Sequence, residues 1–242
     1  MSTNLEILLT QYKPSQEAKD IVSRLKTLFI VGISGAGKDT MQRILLETGK
    51  YHHIISHTTR SPRKNHGVLE KDGKEYHFIT LQTAEGMLEG QEFIEAKYYS
   101  GNIYGTSVNE FAKAKNEKKI AICDIEIQGV AEYKAIAADM IYPVFLLPPS
   151  YNVWQQRWEK RYGNDAVDNE AKKLRMKTAI AEIEHVLHTS YYSIVINDDI
   201  DEAVRQVAAI ARTGFQADTQ YDVGRQAAEE ILEAMKLQIS TL

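Results

Sequence analysis

The run Leu28-Phe29-Ile30-Val31-Gly32-Ile33-Ser34-Gly35-Ala36-Gly37-Lys38-Asp39-Thr40 leaves this chain few options. An apolar strand passes into a glycine-rich turn and then into a helix expected over Lys38–Thr48. Gly32, Gly37 and Lys38 stand at the G-x-x-x-x-G-K spacing, with Gly35 between them. A turn that aims successive main-chain N–H groups inward needs that much glycine. The unsatisfied N–H groups and the positive end of the helix dipole then add to the ammonium of Lys38. An ordinary strand-turn-helix satisfies the bare spacing, but the flanking strand and helix favour a phosphate cradle for a nucleoside triphosphate. Ser34, Ala36 and the three glycines would line it, and Lys38 would reach the transferring end. The residue after the lysine is Asp39 and not a hydroxyl, so Thr40 is the expected Mg²⁺ ligand, direct or through water, ahead of Asp39.

Bulk properties narrow the class. The 242 residues are 43% hydrophobic and 26% charged, which fits a globular chain with a substantial core and excludes wholesale disorder. One domain is expected at this length. A net charge of −4 gives no electrostatic reason for a nucleic-acid partner, so local basic clusters read as sites for small anions. The one cysteine, Cys123, lies in an apolar run and is expected as a buried thiol in a reducing compartment. No apolar stretch approaches a membrane span, and Glu6 sits among the N-terminal leucines without a basic leader. A cytoplasmic protein without membrane or nucleic-acid partners is expected.

Ahead of the cradle, Asn4–Tyr12 and Ser15–Leu25 are expected as helices without chemistry, the second capped by Ser15. Behind it, Gly49 stops the helix and His53–Ser56 reads as a strand. Tyr76–Ile79 is a strand and Thr83–Leu88 a short helix. Glu92–Tyr99 is a strand whose alternation puts Phe93, Glu95, Lys97 and Tyr99 on one face. Ser100-Gly101-Asn102 turns the chain into Ile103–Thr106, making a hairpin. A helix Val108–Lys115, an apolar strand Lys119–Glu126, a helix from about Val130 and a strand Ile141–Leu147 continue the alternation. Helices Tyr151–Tyr162 and Glu170–His188 follow, then a strand Tyr192–Ile196, a helix Ile200–Arg212 and a short linker Thr213–Ala217. The last helix, Thr219–Ile239, has Ala228, Ile231, Leu232, Met235 and Ile239 along one stripe, which docks on its own core or on a second copy. A homo-oligomer through the terminal helices is therefore one outcome.

Three further groups carry chemistry. The loop His57–Lys64 crowds Arg60 and Arg63 among hydroxyls, and planar guanidinium forks suit phosphate oxygens. A solvated surface loop is the alternative, but a phosphotransferase needs a second anion site for its acceptor. Asp124, at the end of an apolar strand, is the candidate for holding Mg²⁺ or its water shell, with Glu126 two residues on. Arg157 and Arg161 share a helix face, a polar break follows over Gly163–Asn169, and Arg175 lies on the next helix. A basic flap of this kind would close over phosphates and expel water. Glu95, a carboxylate among aromatics on a small sheet, is either a rim charge or a buried acceptor for the N–H donors of a base.

In this order the cradle, Thr58-Thr59-Arg60-Ser61-Pro62-Arg63, Gly73-Lys74-Glu75-Tyr76-His77-Phe78, Glu92-Phe93-Ile94-Glu95-Ala96, Ser100-Gly101-Asn102-Ile103-Tyr104-Gly105-Thr106, Asp124-Ile125-Glu126-Ile127-Gln128-Gly129-Val130 and Ile196-Asn197-Asp198-Asp199 resemble the guanylate kinase family. The resemblance covers about Thr27 to Arg212. It implies an α/β fold, a P-loop NTPase-type parallel sheet core flanked by helices, with a small mixed α/β nucleotide-monophosphate-binding insertion at about 57–107 and a helical lid at about 157–175. Helical extensions at 1–26 and 213–242 would flank the domain at 27–212. The implied activity is ATP-dependent phosphorylation of GMP, with dGMP a further acceptor, in purine metabolism, with Mg²⁺.

By the same resemblance, Arg60, Arg63, Tyr76 and Tyr104 would hold the acceptor phosphate. Ser56, Glu95, Thr106 and Glu126 would recognise guanine. Lys38, Arg157, Arg161 and Arg175 would act on the phosphates, and Asn197 and Asp198 would lie near the donor adenine. The chain departs from the family pattern at Ile33, where proline is common, at Asp39, and at Glu126, where aspartate is expected. Two other readings stay open: a guanylate-kinase-like module that binds phosphopeptides, and a kinase of the same build acting on another phosphorylated acceptor such as a ribose bisphosphate.

Overall fold

The computed structural model describes residues 3–65, 67–162, 169–214 and 218–239. Most of the polar break expected over Gly163–Asn169 (163–168) and of the linker expected over Thr213–Ala217 (215–217) lies outside them. Helices α1 (Thr3–Gln11) and α2 (Gln16–Val22) come first, and the Ser15 hydroxyl caps α2 by accepting from the N–H of Ala18 at 3.1 Å. Strand β1 (Thr27–Gly32) is buried along nearly its whole length, as a strand covered on both faces must be, and leads through the glycine turn into α3 (Lys38–Glu47). Next are the short strands β2 (Tyr51–His53), β3 (His57–Thr58), β4 (Lys64–Asn65), β5 (Val68–Leu69) and β6 (His77–Phe78). Helix α4 (Leu81–Glu89), strands β7 (Phe93–Tyr99) and β8 (Asn102–Ser107), and helix α5 (Val108–Asn116) follow. Then come β9 (Ile120–Asp124), α6 (Ile127–Ala137), β10 (Ile141–Leu147), α7 (Tyr151–Tyr162) and α8 (Asn169–Leu187). The described chain closes with β11 (Ser193–Ile196), α9 (Ile200–Thr213) and α10 (Asp218–Ile239).

Two compact units divide these elements. The first comprises Met1–Thr27, Lys50–Cys123 and Glu132–Met140, and the second Leu28–Gly49, Asp124–Ala131 and Ile141–Leu242. In the first, β2 and β9 are parallel, while β6, β3, β8 and β7 form a small mixed sheet in that order. Ser100 and Gly101 both have positive φ, 47° and 86°, which closes the β7–β8 hairpin tightly. In the second unit the strand order is β11-β10-β1, with β10 and β11 parallel. Helix α9 begins on Asp199, whose carboxylate accepts from the N–H of Glu202 at 2.8 Å, and stops at Gly214 with φ 74°. The stripe of α10 lies against α7, α8 and β11, with Ala228, Ile231 and Met235 buried, so this helix docks on its own chain. Among the described residues no helix is long and apolar enough to cross a membrane.

Three local expectations change. The strand placed at His53–Ser56 ends at His53, because the buried Glu110 carboxylate takes the N–H of Ile55 at 3.1 Å in place of a strand partner. The alternation along β7 breaks between Phe93 and Glu95, where the β7–β8 register slips and Phe93 and Ile94 are both buried. Helix α6 starts at Ile127 and not near Val130. It takes in Gly129, where a Cβ would stand 2.6 Å from the Ile125 side chain.

Candidate active site

The glycine turn of the second unit is fixed from three sides. At Gly32, with φ 144°, a Cβ would lie 2.4 Å from the carbonyl oxygen of Leu146 on β10, so only glycine lets β1 leave the sheet here. At Gly37, with φ 96°, a Cβ would lie 2.4 Å from Nδ2 of Asn197. That amide, buried just past β11, donates to the carbonyl of Ala36 at 2.8 Å. The main-chain carbonyl of Asn197 in turn accepts from Nη2 of Arg157 on α7 at 2.8 Å. Trp154, one turn earlier on α7, donates from Nε1 to the carbonyl of Ser34 at 2.8 Å. Two loop carbonyls are thus engaged from outside, and inside the turn the Ala36 N–H donates to the carbonyl of Ile33 at 3.1 Å.

Lys38 donates from Nζ to the carbonyl of Gly32 at 2.7 Å, so its ammonium is held over the loop. A cavity of about 430 Å³ opens here, lined by Gly35, Gly37, Lys38, Asp39, Thr40, Arg157, Asn197 and Asp198. Asp39 and Thr40 are exposed at its mouth. Asp124, at the end of β9, has its pKa raised to about 6 by loss of hydration; Lys38 opposes the shift, and Asp39 and Glu126 reinforce it. Glu182 on α8 is raised to about 7 by burial, against the pull of Lys38 and with Glu126 and Asp124 adding to the rise.

The acids Asp124, Asp39, Glu126 and Glu182 gather around Lys38, a concentration of negative charge that favours a divalent cation. Among the described residues no three His, Cys, Asp or Glu side chains enclose a metal position. The donor set is oxygen-only and sparse. It therefore suits Mg²⁺, which keeps waters and shares itself with phosphates, better than a cation that demands a full protein cage. Arg161 and Arg175 lie on α7 and α8, and Arg175 is exposed.

The first unit gathers the other set. Arg60 is buried, with Nη1 and Nη2 donating to the Glu70 carboxylate at 2.8 and 3.1 Å. Its guanidinium carbon lies 5.2 Å from the ring centre of Tyr76, and the Tyr76 and Tyr104 rings meet edge-on at 6.0 Å. Glu70 raises the pKa of Arg60, so the charge is permanent. Arg63 is exposed, and its main-chain N–H also donates to Glu70, at 2.8 Å.

A second cluster joins Ser56, Thr106 and Glu95. The Thr106 hydroxyl donates to Glu95 Oε1 at 2.9 Å and lies 3.2 Å from the Ser56 hydroxyl. Burial pushes the Glu95 carboxyl up to about 7, against the Thr106 hydrogen bond and the charge of Lys97. Glu126 belongs to the second unit, with Asp124.

Four residues that take part in these clusters are missed by the sequence reading: Glu70, Trp154, Glu182 and Tyr133. Tyr133 is buried beside Thr106 and Glu95, and its pKa is driven well up by burial. Glu70 alone had a legible cue, since reading Lys64–Leu69 as a hairpin brings Glu70 next to Arg63.

The family model for guanylate kinase matches residues 24–213. The guanylate kinase of Schizosaccharomyces pombe is 37% identical over 204 residues, covering 83% of this chain and 96% of that one. The guanylate kinase of Clostridium perfringens (strain 13 / Type A) is 38% identical over 186 residues, covering 76% of this chain and 81% of its own. The human guanylate kinase is 32% identical over 185 residues, with 75% and 90% covered. A crystal structure of guanylate kinase from Anaplasma phagocytophilum shares the fold with a TM-score of 0.56 at 24% identity, covering 81% of this chain and 89% of that one.

Proposed function

The chain belongs to the guanylate kinase family, and on that premise we propose how its own residues carry out the ATP-dependent phosphorylation of GMP to GDP. The observation that supports the assignment is Glu95, a carboxylate whose pKa burial raises to about 7 although the Thr106 hydroxyl and backbone both bond to it. Guanine offers donors to it, N1–H and the 2-amino group, and Ser56 and Thr106 beside it would complete the recognition. Adenine offers no such pair and would leave the carboxylate unpaired, a penalty of roughly a few kcal/mol. Arg60, held rigid by Glu70, would bind the GMP phosphate together with Arg63, Tyr76 and Tyr104, since a braced guanidinium loses little freedom on binding.

On the donor side the N–H groups of the Ser34–Lys38 loop would hold the ATP phosphates, with Lys38 exchanging the Gly32 carbonyl for a phosphate oxygen. Asn197 and Asp198 would border the adenine. Thr40 and Asp124 would hold Mg²⁺, which when bound neutralises charge on the phosphates. An oxygen of the GMP phosphate attacks the γ-phosphorus, the bond to the bridging oxygen breaks, and its electron pair leaves on ADP. The attacking phosphate is already ionised, so no general base is required. Arg157, Arg161 and Arg175 would counter the charge that gathers in transfer, and alignment with electrostatics supplies the rate. In this reading 57–107 is the acceptor-binding insertion and 157–175 the lid, with the segments at 1–26 and 213–242 as extensions.

A coupled assay for ADP with Mg-ATP and a panel of GMP, dGMP, AMP, IMP, UMP and ribose phosphates tests the proposal. GMP should give the highest kcat/KM. Preference for a ribose phosphate, or tight phosphopeptide binding with no nucleotide turnover, would overturn it.

A further inference from the structure

The first 23 residues precede the family match, yet Tyr12, between α1 and α2, is bonded into the strand that carries Glu95. Its hydroxyl donates to the carbonyl of Phe93 at 2.6 Å and accepts from the N–H of the same residue at 2.9 Å. In a strand the N–H and C=O of one residue point to the same side. Strand β7 is the edge of its sheet, so Tyr12 takes the place that a further strand would occupy at Phe93. The Tyr12 ring also meets the Phe93 ring edge-on, with centres 6.4 Å apart, against a buried cluster that includes Leu5 and Ile103.

Phe93 is where the hairpin register changes. It stands opposite Ser107, while Glu95 stands opposite Thr106, two steps along β7 against one along β8. An unbroken register would set Glu95 opposite Gly105, which has no side chain to hold it. The slip is therefore what brings Glu95 to the Thr106 hydroxyl, and a bulged strand loses ladder support at that point. We infer that Tyr12 is a positioning residue for guanine selection: its hydroxyl pins Phe93 at the slip and so keeps Glu95 opposite Thr106.

This rests on the reading of Glu95 as the guanine acceptor. Burial pushes the Tyr12 phenol up to about 12, so it remains a donor wherever the enzyme works.

Tyr12→Phe keeps the ring and removes only the hydroxyl. In steady-state assays with GMP and IMP, which lacks the 2-amino group, KM for GMP should rise about tenfold and the preference for GMP over IMP should shrink to match. The kcat at saturating GMP and the KM for ATP should stay within about twofold. Two companions separate the causes. Glu95→Gln should shrink the same preference; if it does not, the guanine reading of Glu95 fails and takes this inference with it. Leu8→Ala, which loosens α1 without touching the hydroxyl, should lower Tm and keep the preference. Wild-type behaviour of Tyr12→Phe beside an altered Glu95→Gln, or an equal loss in Leu8→Ala, would overturn the role of Tyr12 while leaving Glu95 in place. Independently of any variant, the Phe93 amide should exchange with deuterium as slowly as that of Ile103 in the middle of the sheet. Exchange at the rate of an open strand edge would also overturn the role.

Discussion

Protonation of Glu95 should control the affinity for GMP. The carboxyl has its pKa raised to about 7, and only its ionised form can accept from N1–H and the 2-amino group together. If ionised protein alone binds, the apparent Kd scales as one plus the ratio of protonated to ionised carboxyl. That factor is about 1.1 at pH 8 and about 11 at pH 6, so affinity should fall about tenfold across the interval. The GMP phosphate also titrates in this range, so the measurement is a difference: calorimetric titration of GMP into wild type and Glu95→Gln at both pH values. The phosphate contribution is common to the two proteins. Glu95→Gln should bind more weakly at pH 8 and should lack the extra tenfold. Parallel pH profiles for the two proteins would refute the role of the Glu95 carboxylate.

Other expectations follow from the same geometry. An ionised, partly buried Glu95 opposes folding above pH 7, and this penalty vanishes as the pH falls toward the ordinary carboxyl value of 4.5. Ligand-free Glu95→Gln should therefore melt higher than wild type at pH 8, with the gap closing in acid; calorimetric melting checks it. Lys38→Ala should keep its fold by circular dichroism and lose orders of magnitude in kcat, and near-normal turnover would remove Lys38 from the mechanism. Glu70→Ala strands the buried Arg60 and should cost about 3–5 kcal/mol in urea unfolding while raising KM for GMP. Asn197→Ala releases the Ala36 carbonyl and should raise KM for ATP by about tenfold, with KM for GMP little changed in the coupled assay.

The parts legible in the sequence are those set by local rules. The Gly32–Lys38 spacing, the strand ahead of it and the cap at Ser15 are each specified within a few residues, and the structure has them at those positions. The β7–β8 hairpin was equally readable from Ser100-Gly101. What escaped depends on groups far apart in the chain. The early end of β2 is caused by Glu110, fifty-five residues on, and the slip in β7 is supported by Tyr12, eighty-one residues back. Periodicity alone gives no warning of either. Arg60 stands out in the sequence as a candidate for an anion site, whereas its bracing by Glu70 depends on the hairpin between them being recognised as a hairpin. The stripe on α10 was visible too, but an apolar face does not name what covers it.

Transfer of label from γ-³²P ATP is the direct test of the whole reading. With Mg²⁺ and GMP present, the label should appear in GDP, at a rate set by GMP concentration and abolished in Lys38→Ala. Label released as inorganic phosphate at the same rate with and without GMP, or retained in ATP at saturating GMP, would contradict it.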